Sequence, residues 1–359
     1  MKALVLAGGN IKFMPYLFYY FKQLSELNYD ITLFYWNRNG LIDSALPSYV
    51  KPIEFTVIMK SEIAKYKKLI NFIKYRKEAI NVIKSDKYDR IVVCNTQFSV
   101  LLSDVLIKFY KNKYVFDYRD PSYENIKWYK NRVAKIVNNS IATFISSKAY
   151  HVNLPNCEKI HFFHNISMRD LKYRDLRKSL SRKNSKIRIS FWGCIRDLKT
   201  NLTFISDIAN DERFELNFYG TIENTANEIV KFCRDNNIQN VYIHKEYLPE
   251  EKYQFVQSTD IIHNLYNNSN QYHYSMGNKF YDGIIFYIPQ ICNESGIMGS
   301  EVEKYKIGIT VNPYKPFADK LYEYYNNIDW LEFEKNCDEC LNAILIEQNS
   351  SNEMLKKVL

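Results

Sequence analysis

Short β-rich runs alternate with helical patterns along this chain of 359 residues. In the first half the predicted strands lie at 2–7, 31–36, 90–94, 113–117, 142–146 and 159–163. The alternation restarts in the second half, with strands predicted at 187–192, 214–219, 240–243, 260–264, 288–292 and 307–311. This order is typical of parallel sheets that carry helices on both faces. We therefore predict an α/β fold with two Rossmann-like domains that face a central cleft.

A charged segment without large apolar groups separates the two halves. We predict a first domain at 1–167, a basic linker at 168–186, a second domain at 187–330 and a helical tail at 331–359. A chain of this length is also too long for one ordinary hydrophobic core. The sequence thus predicts two domains rather than one.

Cysteine usage and hydropathy exclude several classes of protein. The seven cysteines are scattered, and only Cys337 and Cys340 have C-x-x-C spacing, without a second such pair. This pattern favours a reduced chain without a structural metal. No apolar run approaches the roughly 20 residues that cross a bilayer. The chain enters its first strand at Ala3, so we expect no signal peptide and a cytoplasmic location.

The net charge of +9 is concentrated in two blocks. Residues 60–90 hold ten Lys and Arg against four Asp and Glu, and residues 169–188 hold nine against two. In the first block, apolar residues recur at helical spacing: Ile63, Tyr66, Ile70, Ile73, Ile80 and Ile83. One interpretation is a core-packed helix with a solvated lysine face. The other is a surface for anionic lipid headgroups, which would place the protein peripherally at the inner face of the plasma membrane. The blocks lack a recognisable nucleic-acid-binding module, so nucleic acid is not an expected partner.

The segment 190–201 predicts a diphosphate site. An apolar strand runs into Gly193, and Arg196 and Lys199 follow at a spacing of three, just before a predicted helix. Cations at a helix start are locally unfavourable because of the helix dipole. A bound anion would explain them, since helix N–H groups and both side chains would converge on it.

Two further segments of the second half point to the same ligand. Asn278 and Lys279 open a helix whose N-terminal amides suit a phosphate, and Asp282, one turn later, could accept from ribose hydroxyls. The loop with Lys245, Tyr247 and Leu248 follows a strand, so its backbone could bind a base edge.

In the first half, candidate residues follow three predicted strands. Gly8, Gly9 and Asn10 come directly after the first strand, but they do not form a G-x-G-x-x-G dinucleotide fingerprint. Further along the chain, the candidates are Asp117, Arg119, Asp120 and His164. Because strand ends face the ligand crevice in α/β sheets, we expect these residues to face an acceptor. Asp120 before Pro121 could equally be a turn residue, and a lone histidine is more often structural.

The chain contains no Asp-x-Asp pair. Sugar transfer that depends on a divalent ion usually needs such a pair on a single-domain fold. We therefore expect no metal and no other cofactor, with side chains and helix dipoles neutralising a departing diphosphate.

In its order of segments, the sequence resembles the two-domain GT-B glycosyltransferases of the family-4 type, which build bacterial surface and capsular polysaccharides. The resemblance rests on short segments in this order: Val115–Asp120, Ile145–Ser147, Leu154–Pro155, His164–Asn165, Gly193 with Arg196 and Lys199, Tyr219–Gly220, Asn278–Asp282 and Ile288–Ile291. It implies a donor-binding strand end at Gly220 and a C-terminal helix that packs back toward the N-terminal domain. The two glutamates that the family often carries around its donor helix correspond here to Tyr274 and Asp282.

These observations predict a glycosyltransferase that moves a sugar from a nucleoside-diphosphate donor to a polysaccharide or lipid-linked oligosaccharide. The resemblance implies retention of anomeric configuration, in which the leaving phosphate can take the acceptor proton. With inversion, Asp117 or Asp120 is the candidate base. Two alternatives stay open: a nucleotide-sugar epimerase of the same fold, and a non-catalytic transferase-like binding subunit.

Overall fold

Each of two units of the chain is built on its own parallel sheet. The computed structural model describes residues 1–40, 45–59, 63–177, 185–222, 224–248, 250–267 and 269–359. Unit 1 comprises Met1–Asn165 and Leu345–Leu359, and unit 2 comprises Ile166–Ile344. The α/β class expected from the strand–helix alternation is confirmed.

The described strands of unit 1 pair in parallel in the order β3-β2-β1-β4-β5-β6-β7. They are β1 (Lys2–Ala7), β2 (Asp30–Asn37), β3 (Val50–Thr56), β4 (Arg90–Cys94), β5 (Tyr114–Tyr118), β6 (Ala142–Ile145) and β7 (Ile160–Phe162). The central strands are mostly apolar and, apart from Lys2 and Arg90 at their starts, buried, as expected where helices cover both faces of a sheet.

Helices connect these strands. They are α1 (Leu17–Glu26), α2 (Lys65–Ser85), α3 (Thr96–Leu101), α4 (Ser103–Phe109) and α5 (Lys127–Asn139), with short 3₁₀ helices at Ile11–Phe13 and Lys148–Asn153. The strand order reverses between β1 and β4, and this switch point opens a crevice at the carboxyl ends of the strands. The candidate residues that follow β1 and β5 therefore lie at one edge of the sheet.

The described strands of unit 2 pair in parallel in the order β10-β9-β8-β11-β12-β13. They are β8 (Ile187–Cys194), β9 (Phe214–Thr221), β10 (Val241–His244), β11 (Ile261–Asn264), β12 (Gln290–Asn293) and β13 (Gly308–Val311). One of the helix layers packs on β8, β9 and β11 through a core that contains Phe191, Phe204, Phe218 and Phe317.

The helices of unit 2 are α6 (Leu198–Asp207), α7 (Asn224–Asp235), α8 (Lys252–Gln257), α9 (Asn270–Tyr274), α10 (Asn278–Ile285), α11 (Ile297–Tyr305), α12 (Ala318–Asn326) and the start of α13 (Trp330–Val358). The segment Asp170–Arg177, part of the stretch that the sequence assigns to a linker, forms 3₁₀ turns of this unit. The sequence-predicted residues 178–184 of that linker lie outside the described residues.

The end of α13 belongs to unit 1, as the resemblance implies for the C-terminal helix. The Tyr29 hydroxyl donates to the Leu359 carbonyl at 2.6 Å, and the Lys148 ammonium donates to Glu347 at 2.6 Å. The His164 backbone N–H also donates to Gln348, at 2.9 Å. These contacts join the end of α13 to the residue before β2 and to the segments that follow β6 and β7.

None of the helices in the described ranges combines the length and the hydropathy that crossing a membrane requires. The longest of them, α13, carries charged residues along its whole length.

Candidate functional site

The carboxyl ends of β8 and β9 touch through two glycines. Gly193 has a φ of +126° and pairs in register with Gly220. A Cβ atom on Gly220 would lie 1.8 Å from the Gly193 carbonyl oxygen. Both glycines, which the sequence analysis assigns to donor binding, thus allow the backbones to approach where the strands end.

A buried relay of hydrogen bonds holds the turn that follows β8. The Leu265 N–H donates to His263 Nδ1 at 3.2 Å, so the proton of this neutral imidazole resides on Nε2. His263 Nε2 bonds the Asn201 side-chain oxygen at 2.9 Å, and Asn201 Nδ2 donates to the carbonyls of Arg196 (2.6 Å) and Asp197 (3.0 Å). Burial, and secondarily Lys279, lower the pKa of His263 to about 3. The relay therefore keeps its protonation state across the physiological range.

Arg196 and Lys199 are exposed beside this turn, at the start of α6. The Arg196 Nε donates to Cys194 Sγ at 3.2 Å, and the Lys199 ammonium lies 5.0 Å from the centre of the Tyr314 ring. The backbone of Asp197 at the helix start is left-handed, with a φ of 63°. Both cations thus stand next to the N–H groups of the first turn of α6.

Lys279 is buried in the first turn of α10. Its ammonium donates to the Tyr266 hydroxyl at 2.7 Å and lies 3.9 Å from the centre of the Phe191 ring. Burial raises the pKa of Tyr266, and the charge of Arg196 opposes that rise. Tyr266 lies just after β11, the strand whose His263 bonds Asn201 of α6. The two helix starts that the sequence predicts as phosphate sites are thus both joined by hydrogen bonds to β11 and the residues that follow it.

Burial also lowers the pKa of Lys279 to about 7, from 10.5 in an unfolded chain. Between these values the unfolded state binds more protons, so the free energy of unfolding should rise with pH from about 7 to 10.5. The slope is at most about 1.4 kcal/mol per pH unit. We expect Lys279→Met to remove this rise. Urea unfolding of both proteins at pH 7 and pH 9 measures it, and an equal pH dependence in both would contradict the assignment.

Asp282, one turn later on α10, is part of a buried charge network. Its Oδ2 accepts from the Trp192 indole at 2.8 Å, and its Oδ1 accepts from the Lys252 ammonium at 2.8 Å. Lys252 also donates to Asp170 at 2.6 Å. Burial raises the pKa of Asp282, and Lys252 opposes the rise. The carboxylate predicted to hold a ribose is thus already engaged on both oxygens.

Aromatic side chains line the adjoining edge, at the ends of β9 and β10. The Tyr219 ring stacks between His244 and Phe255, with ring centres 4.2 Å apart on each side. Tyr247 meets Phe255 edge-on at 4.9 Å. In the same loop Lys245 and Leu248 are exposed, and the Leu248 N–H donates to Glu251 at 2.6 Å. The Leu248 N–H of this exposed loop is therefore already engaged in a hydrogen bond within the fold.

In unit 1, Asp117 and Arg119 form a buried ion pair at the end of β5. Arg119 Nε donates to Asp117 at 2.5 Å, and the Tyr20 hydroxyl donates to the other carboxylate oxygen at 2.5 Å. The guanidinium also donates to Asn165 at 3.1 Å and stacks over the Tyr16 ring. Asp120 is exposed, with a left-handed φ of 56°. Asp120 is thus the carboxylate of this segment that reaches the surface.

The other candidates of unit 1 lie in two places. After β1, Gly8 packs against Phe98 and Gly9 faces open space. The Asn10 amide donates to Asn37, the last residue of β2, and to Asn39 in the loop that follows. His164 lies instead against α13, where its Nε2 is 3.2 Å from Glu347. Burial lowers the pKa of His164 to about 4, although Glu347 opposes this. The structure thus places His164 in the packing of the C-terminal helix, apart from the loop at Gly8.

Among the described residues, no three His, Cys, Asp or Glu side chains are grouped so that they could hold a metal ion. Three basic side chains, Arg196, Lys199 and Lys279, lie at the two helix starts. Such a set can bind an anion directly.

Comparison with known proteins fixes the fold. No protein family and no curated protein matches the sequence. Among solved structures, sucrose-phosphate synthase from Thermosynechococcus elongatus superposes with a TM-score of 0.75 at 11% identity, over 100% of this chain and 99% of that one. The chain has the GT-B glycosyltransferase fold. Two further solved structures are also similar to this chain.

The first is Anabaena HepE in complex with UDP and glucose, with a TM-score of 0.64 and 13% identity over 99% of both chains. The second is WaaG, a glycosyltransferase involved in lipopolysaccharide biosynthesis, with a TM-score of 0.65 and 10% identity over 100% of this chain and 99% of that one. The GT-B fold expected from the resemblance is thereby confirmed.

Several residues of the site were not predicted from the sequence. Trp192, Lys252 and Asp170 meet at Asp282, and His263 and Asn201 fix the turn before α6. In the sequence, a histidine in a strand, His263, and an asparagine in a helix, Asn201, are a weak signal for a hydrogen-bond relay. The structure reveals these roles because the partners come from separate segments.

Proposed function

We propose that the chain is a glycosyltransferase that uses a nucleoside-diphosphate sugar. The observation that carries this proposal is that two helix starts are held at the end of β11. Lys279 at the start of α10 donates to the Tyr266 hydroxyl just after this strand, and His263 of the strand bonds Asn201, which holds the turn with Arg196 before α6. Two helix N-termini and two cations suit the two phosphates of such a donor. The GT-B fold and the UDP in the HepE structure support the same ligand.

The proposed reaction breaks the bond between the anomeric carbon and the diphosphate and forms a bond to an acceptor hydroxyl. The departing diphosphate takes the electron pair, and Arg196 and Lys199 stabilise its charge without a metal. In a retaining transfer the acceptor proton passes to the leaving phosphate. In an inverting transfer a carboxylate takes it, and Asp120 suits this role better than the buried Asp117.

For the acceptor, we propose a polysaccharide or a lipid-linked oligosaccharide at the carboxyl edge of the sheet of unit 1. Polar groups at this edge belong to Asn10, Arg119 and Asp120, all at or after strand ends. WaaG, which has the same fold, is involved in lipopolysaccharide biosynthesis. The retaining outcome follows from the family resemblance and is proposed on that basis.

Turnover of a panel of UDP-, GDP-, dTDP- and CMP-sugars tests this function. We expect one of the UDP-, GDP- or dTDP-sugars to release its nucleotide only when a saccharide acceptor is present, with the sugar recovered on the acceptor. Turnover of the CMP-sugars alone, which carry a single phosphate, would contradict a diphosphate donor. Release of free sugar and nucleotide without an acceptor would instead indicate an epimerase that cleaves its own donor.

A non-catalytic binding subunit is the second candidate. It is favoured by Tyr274 and by the engagement of both Asp282 oxygens with Trp192 and Lys252. Tight nucleotide binding with no turnover of any donor, with or without acceptors, would support it and contradict the proposed transfer.

A further inference from the structure

Helix α2 has two apolar faces, and only one of them packs on unit 1. The packed face consists of Asn71, Tyr75, Ala79, Val82 and Ile83, all buried. On the other face the exposed fractions are 63% for Tyr66, 60% for Leu69, 47% for Ile70 and 55% for Ile73. The helix therefore presents a row of large apolar side chains to solvent.

The exposed residues form one stripe. Positions 66, 69, 70 and 73 follow the i, i+3, i+4, i+7 spacing, which confines them to an arc of roughly 100°. The buried residues lie on the opposite side of the helix. The interpretation that Tyr66, Ile70 and Ile73 belong to a core-packed face is therefore wrong, because that face is set by Tyr75 and Ala79.

Lysines border the stripe on one side and at its end. Lys67 and Lys74 flank it on one side, and Lys77 continues it toward the end of the helix. In the described ranges no ion pair involves these three lysines, and Glu78 is the single acid of α2. Arg76, in contrast, is paired with Asp104 at 2.7 Å. The surface thus has an apolar stripe with positive charge along one margin.

We propose that this stripe docks α2 flat onto an anionic lipid bilayer. Apolar side chains would enter the boundary between headgroups and acyl chains, while the lysines would contact the headgroups. A second copy of the chain is a poor occupant, since symmetric pairing would bring the lysine margins of both copies together. This inference goes beyond the proposed sugar transfer and is tested without any sugar.

Vesicle flotation is the first test. The full chain should float with vesicles of phosphatidylcholine and phosphatidylglycerol at low salt, and should stay in the soluble fraction with phosphatidylcholine alone. The variant Leu69→Ser, Ile70→Ser, Ile73→Ser should lose flotation, because its apolar contact is gone. The matched control Leu331→Ser, Ile346→Ser, at residues that are 82% and 70% exposed, should float as the wild type does.

Two further measurements complete the test. Lys67→Gln with Lys74→Gln should weaken vesicle affinity about 25-fold, since each lysine at an anionic surface contributes about fivefold. Tyr66→Trp should show a blue shift of emission when anionic vesicles are added. Equal flotation of the serine variant and the wild type, or no emission shift, would overturn the proposal. A lipid-free dimer that the serine variant converts to monomers would overturn it in favour of self-association.

Discussion

Arg196→Ala should lower kcat/KM for sugar transfer by roughly a hundredfold to a thousandfold. The guanidinium stands at the start of α6, beside the turn that the Asn201 relay fixes. A charge placed in advance where a diphosphate departs stabilises the transition state, and loss of one such group costs about two to three orders of magnitude. Steady-state kinetics with the active donor measure the change.

The matched control is Arg234→Ala, at an exposed arginine on α7 of the same unit. We expect this control to transfer sugar at the rate of the wild type. The double variant Arg196→Ala, Lys199→Ala should be slower still than the single variant. Unchanged transfer in the double variant would contradict the assignment of both cations to the diphosphate.

Lys252→Met should lower the free energy of unfolding by about 3–5 kcal/mol. Lys252 bonds Asp170 and Asp282, which are both buried, so the substitution leaves two carboxylates without their cation. Removing one partner from a buried charge cluster carries a penalty of this size. Urea unfolding followed by circular dichroism measures it, with Lys304→Met, at an exposed surface pair, as a near-neutral control.

The loss in free energy of unfolding that Lys252→Met causes should depend on pH in a defined direction. Burial raises the pKa of Asp282, and Lys252 opposes that rise. Without Lys252 the pKa of Asp282 in the folded state moves further above its unfolded value, so the folded variant gains stability as pH falls and Asp282 is protonated. The deficit should be smaller at pH 5 than at pH 8. Asp170→Asn should also recover part of the loss, and a deficit that is equal at both pH values would contradict this account.

Most strands could be predicted because the inner strands of a parallel sheet are mostly apolar. Strand β3 was missed because it is one of the two edge strands of the sheet of unit 1 and because Lys51, Pro52 and Glu54 on it are exposed, which hides the apolar pattern of a strand. A proline removes a backbone donor, which an edge strand tolerates. The helical spacing of apolar residues also led to the wrong interpretation of α2 as a helix that packs Tyr66, Ile70 and Ile73 in the core. An exposed apolar stripe and a buried one have the same spacing in the sequence.

The candidate site could be predicted only where its residues are close in sequence. Gly193, Arg196 and Lys199 follow one strand, so their proximity is a local property. Asp170, Lys252 and Asp282 lie 82 and 30 residues apart, and only the order of strands in the sheet brings them together. Which charges pair with one another cannot be predicted from a sequence that contains 49 basic and 40 acidic residues.

The central claim is that a nucleoside diphosphate binds where α6 and α10 begin. Hydrogen–deuterium exchange with and without saturating UDP, GDP or dTDP tests it most directly, because it reports the backbone amides that a bound phosphate would protect. We predict that one of these nucleotides slows exchange in segments 193–201 and 275–283 and that Arg196→Ala abolishes the effect. Binding that leaves exchange in both segments unchanged, or no binding of any of the three, would contradict the claim.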